Sequence, residues 1–78
     1  MDYTLQIGSF ADVENAAKLK DQLGKSFAQP SQVTIVPFRS KETTYYRVQA
    51  GVFSSHGDAE AQARQFERQG FPVVIMEK

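Results

Sequence analysis

The sequence has no cysteine and one histidine, His56. Without cysteine there is no disulfide framework and no thiolate zinc site. That assigns no compartment, because an oxidising environment permits disulfides without requiring them. The histidine stands at a helix start, where Asp58 and Glu60 read as acids favourable to the macrodipole, and the chain offers no metal-ligand set and no nucleophile–base pair. Neither an enzyme nor a bound metal or cofactor is therefore expected. Charge of one sign is also lacking, since nine lysines and arginines balance nine aspartates and glutamates. Neutrality argues against partners held by phosphate neutralisation, so neither nucleic acid nor an anionic membrane is expected as a partner. No apolar run reaches membrane-spanning length, and no signal peptide precedes the first strand. Met1-Asp2 stands directly ahead of that strand, as in a module cut from a longer protein. The expectation is one small domain over residues 1–78.

What is present is a duplication. Gln6-Ile7-Gly8-Ser9-Phe10 returns as Gln49-Ala50-Gly51-Val52-Phe53, and the same shift lays Asp12 on Ser55, both good helix caps. Each copy reads as a strand followed by a helix. Tyr3, Leu5 and Ile7 alternate with Thr4, Gln6 and Gly8, and Tyr46, Val48 and Ala50 alternate with Tyr45, Arg47 and Gln49. The first helix opens at Asp12, carries Val13, Ala16, Leu19 and Leu23 on one face, and is expected to end at Gly24. The second begins with the capping-box-like Ser55-His56-Gly57-Asp58, buries Ala59, Ala63 and Phe66, and stops at Gly70 and Pro72. Two further strands, Val33 to Phe38 and Pro72 to Met76, complete the order βαββαβ.

That order predicts an α+β sandwich of the ferredoxin-like, RNP-like kind, a four-stranded antiparallel sheet with both helices on one face. Strands one and three lie centrally, and Pro37 suits an edge. The other face is left open. Alternation directs outward Thr4, Gln6 and Gly8, then Thr34, Val36 and Phe38, then Tyr45, Arg47 and Gln49. Thr4, Thr34 and Gln49 are adequately explained as solvated. Phe38 and Tyr45 beside Arg47 form a surface suited to a flat or extended ligand. The last strand is apolar throughout, and Val73 and Ile75 are expected to face outward.

Gln6-Ile7-Gly8-Ser9-Phe10 and Tyr46-Arg47-Val48-Gln49-Ala50-Gly51-Val52-Phe53, in this order and separation, resemble the SPOR (sporulation-related repeat) domain from Tyr3 to Ile75. The resemblance implies a bacterial, non-catalytic module that binds peptidoglycan glycan strands stripped of stem peptides. It implies a place in the cell envelope, outside the cytoplasmic membrane, at a division septum or spore wall. Carried over by position, the family's binding residues fall on Gln6, Ser9 in the adjoining turn, Tyr45, Arg47 and Ile75. Phe38 joins them from the reading of the open face. Many relatives carry tryptophan where this chain has Tyr45, and Val52 stands where the first copy has Ser9, so only the first turn is expected to contribute.

Two other readings use the same fold. An RNA-binding, RRM-like domain would stack bases on the open face, although the paired ring-and-glycine signatures and a basic surplus are absent. A ferredoxin-like regulatory module would dimerise through its sheet. The SPOR-like reading expects a monomer.

Overall fold

The computed structural model describes residues 1–27 and 32–78, leaving the Ser26 side chain aside. The elements follow the expected order: β1 (Tyr3–Phe10), α1 (Val13–Ser26), β2 (Val33–Ser40), β3 (Thr43–Phe53), α2 (His56–Arg68) and β4 (Val74–Glu77). The four strands form one antiparallel sheet in the order β2-β3-β1-β4. The two pseudo-equivalent strands thus lie side by side at the centre. Pro37, which has no N–H to give a ladder, sits on the outer strand β2. No helix is long and apolar enough to cross a membrane among the described residues.

The core lies between the sheet and the helices. Leu5, Ile7, Val33, Val48 and Ala50 from the strands meet Ala16, Leu23, Ala59, Ala63 and Phe66 from the helices. Phe27 joins the two helices through a tilted contact with Phe66, ring centroids 5.5 Å apart. Helix α1 starts where Asp12 accepts from the Glu14 N–H at 2.9 Å, and α2 where the Ser55 hydroxyl accepts from the Asp58 N–H at 3.1 Å. These contacts satisfy amide donors that a helix start leaves orphaned.

The ends of the helices differ from one another. In α2, Gly70 takes φ 94°, its N–H bonds to the Glu67 carbonyl, and the Phe71 N–H bonds to the Phe66 carbonyl. This is a Schellman motif with its usual apolar contact, here Phe71 edge-on to Phe66 at 6.3 Å. In α1 the expected stop at Gly24 does not occur. The helix runs on to Ser26 and closes when the Phe27 N–H bonds to the Leu23 carbonyl. Val13, expected on the buried face, is 47% exposed because it stands at the first turn, beyond the sheet's cover.

The duplicated G-x-F has a packing cause. A Cβ at Gly8 would lie 2.8 Å from Phe10 Cε2 and 2.9 Å from Leu19 Cδ2, and one at Gly51 would lie 2.6 Å from two atoms of the Phe53 ring. In each copy the phenylalanine folds back over the glycine two residues before it. Gly51 also takes φ 78°, a conformation open to glycine at little cost. Each of these stretches coincides with an irregularity in the β1–β3 register, one between Tyr3 and Leu5 and one between Gln6 and Gly8. The second overturns the simple alternation. Gly8 pairs with the buried Val48 and faces the helices rather than solvent.

Gly51→Ala is expected to lose about 2–4 kcal/mol of folding stability, from its left-handed backbone and the ring clash together. Gly8→Ala, with the clash alone, loses about 1–3 kcal/mol. Gly57, where a Cβ meets nothing within 4 Å, gains about 0.5–1 kcal/mol on replacement by alanine. Urea denaturation of the three variants measures the order.

Candidate functional site

Register settles which side chains share the open face, because residues directly opposite on antiparallel strands point the same way. The face is built in rows that cross the strands. The first holds Phe38 of β2 opposite Tyr45 of β3. The second runs Val36, Arg47 and Ser9, the third Thr34, Gln49, Gln6 and Val74, and the fourth pairs Thr4 with Met76. Rings, a cation with a hydroxyl, a pair of amides and an apolar edge therefore succeed one another along the sheet.

Five of the six expected residues come together on this face: Gln6, Ser9, Phe38, Tyr45 and Arg47. Ser9 arrives differently from expectation. It belongs to β1 rather than to a turn, and the irregularity before Gly8 changes the strand's phase so that Ser9 stands directly opposite Arg47. The sixth, Ile75, is a correction. It pairs with the fully buried Leu5 and packs on the core, as Val73 does, so neither faces outward. Their neighbour Val74, opposite Gln6 and 55% exposed, takes the outward place, with Met76 beyond it. An all-apolar strand carries no alternation, and only its pairing with β1 reveals the phase.

Thr4 is a further correction. It is 3% exposed rather than solvated, and its hydroxyl donates to the Gly51 carbonyl at 2.7 Å, with the Ala50 carbonyl at 3.3 Å. It serves as a clasp on the irregular end of β3. Gln49, expected to be merely solvated, is half-buried beside Gln6. These two glutamines are equivalents in the duplication, so the pseudo-twofold relation passes between them.

Among the described residues, two groups on the face lack a polar partner. Oε1 of Gln6 is buried without a hydrogen bond, an arrangement that costs about 1–3 kcal/mol. Arg47 makes no ion pair among the described residues, where the salt bridges join Glu60 to His56 and to Arg64. Instead its guanidinium carbon lies 3.9 Å from the centroid of the Phe38 ring. Phe38 and Tyr45 remain 42% and 37% exposed. The arrangement offers an aromatic platform, a planar cation, a hydroxyl and two amides to a ligand lying across β1 and β3.

His56 belongs elsewhere. It stands edge-on to Tyr3 at 5.4 Å, and its Nδ1 lies 2.6 Å from Glu60 Oε1 on the exposed side of α2. Among the described residues no group of three or more metal-ligating side chains gathers.

The sequence profile of the SPOR domain matches residues 2–77. A search of curated proteins returns no match. Among solved structures, the SPOR domain of RlpA from Pseudomonas aeruginosa is similar at 22% identity and a TM-score of 0.83, covering 97% of this chain and 99% of that one. The peptidoglycan binding domain of the B. subtilis cell wall lytic enzyme CwlC is similar at 27% identity and a TM-score of 0.68, covering 99% of this chain and 90% of that one. The first of these speaks to the fold, which it shares in full. With a family profile spanning nearly every residue and the fold in agreement, the chain belongs to the SPOR domain family.

Proposed function

We propose that this chain is a non-catalytic peptidoglycan-binding module whose open face takes glycan strands that have lost their stem peptides. It acts as a monomer, without nucleic acid or membrane as partner. It directs a parent protein to septal or spore-wall remodelling in the bacterial envelope, outside the cytoplasmic membrane. Membership of the SPOR family and the likeness to a peptidoglycan-binding domain support the ligand class.

The observation that carries the finer reading is the position of Arg47. A planar cation without an acidic partner among the described residues stands between a row of rings and a row of amides. A stripped strand presents the complementary groups. Its sugar rings have apolar faces for the exposed ring of Tyr45, and its acetamido and hydroxyl groups suit Gln6 and Ser9. Each muramic acid regains a free lactyl carboxylate when its peptide leaves, and Arg47 pairs with it in a contact worth about 1.5–3 kcal/mol. A peptide-bearing strand has an amide there, so the charge is lost. Val74, not Ile75, supplies the apolar contact from β4. RNA recognition by this fold stacks bases on rings of the sheet, and here β1 presents Gln6 and Ser9 but no ring to the open face.

Co-sedimentation with purified sacculi tests the reading. Prior digestion by an amidase is expected to increase pelleting, and Arg47→Ala to remove most of that increase. Equal pelleting before and after digestion would count against recognition of stripped strands. Gln6→Met is expected to raise folding stability by about 0.5–1.5 kcal/mol, because an apolar isostere abolishes the orphaned acceptor. The same variant should bind digested sacculi less well, and a melt alongside the pelling assay separates the two effects.

A further inference from the structure

We propose that Phe38 is a positioning residue that sets the preference of this face for carboxylate-bearing glycans by holding the Arg47 guanidinium in place. The inference rests on the glycan reading above and assigns a different task to Phe38. Phe38 pairs directly with Tyr45 and Val36 with Arg47, so Phe38 and Arg47 are diagonal neighbours on adjacent strands. Diagonal neighbours are within reach of one another when one side chain is a ring and the other is long. The 3.9 Å separation of guanidinium carbon and ring centroid sets the cation over the ring. There the ring quadrupole attracts it.

This contact has two consequences. The ring lies against the guanidinium carbon and takes none of the hydrogen-bonding capacity of its planar fork of N–H donors, whose geometry suits a carboxylate. No acidic side chain among the described residues competes for those donors. Conversely, the side of the Phe38 ring under Arg47 is closed to a sugar. Tyr45, 37% exposed and outside that stack, then carries the sugar platform, and Phe38 acts through Arg47.

The test compares two probes of equal length by calorimetric titration: amidase-trimmed GlcNAc–MurNAc oligosaccharides, which bear lactyl carboxylates, and chito-oligosaccharides, which bear none. The parent is expected to favour the first. Phe38→Leu should reduce that preference ratio by about 2–5-fold, the range of an exposed cation–ring contact. Phe38→Tyr, which keeps a ring, should retain the ratio. Arg47→Met should abolish it, and adding Phe38→Leu to Arg47→Met should lower it no further. Phe38→Leu weakening both probes equally would overturn the positioning role, as would an additive double variant. Failure of the parent to bind either probe would instead sink the glycan reading, and the inference with it.

Discussion

The pairing of β1 with β3 is the constraint on which the rest depends. Each of these central strands must turn into a helix, and each does so with a phenylalanine ring laid over a glycine two residues earlier. The close approach leaves no room for a side chain. It also coincides with the places where the two strands fall out of simple register. Thr4 clasps one such place through the Gly51 carbonyl. Irregular pairing of this kind re-aims side chains, and here the consequence is chemical. Ser9 reaches the open face opposite Arg47, and Gly8 turns inward beneath Leu19 and Phe10.

That face carries a thermodynamic cost. A buried amide oxygen without a hydrogen bond among the described residues is a poor choice for stability alone. The helices opposite show the ordinary solution, with capped starts, apolar stripes and a completed Schellman turn. Departure from local consistency on one side of the sheet, and adherence to it on the other, marks the side shaped by something besides folding. The rows of rings, cation, amides and apolar edge give that side a direction along the strands.

Most of the architecture was legible in the sequence because its signals were periodic. Alternation in Tyr3–Ile7 and Tyr46–Ala50, caps at Asp12 and Ser55, and Pro37 on an edge all described local geometry that the tertiary structure kept. The open face was legible where alternation was clean, as for Phe38, Tyr45 and Arg47. It was illegible where the chain broke phase. Nothing in Gln6-Ile7-Gly8-Ser9 announces a register irregularity, though the repeated G-x-F is the trace it leaves. In Val73-Val74-Ile75-Met76 every side chain is apolar, so only the pairing of Ile75 with Leu5 decides which residues are outside. Gly24 misled because a glycine near a helix end is a permissive stop rather than an obligatory one. The α1 backbone ran on past it, and the Phe27 N–H bonds to the Leu23 carbonyl.

We propose that ligand is recognised on the helix-free face, across β1 and β3. Amide chemical-shift mapping during titration with amidase-trimmed glycan strands tests it most directly. The predicted result is a contiguous set of shifts at Gln6, Ser9, Tyr45, Arg47, Gln49 and Val74, with α1 and α2 quiet on their solvent sides. Shifts centred on the outer surface of the helices, around Lys18 or Arg64, would contradict it.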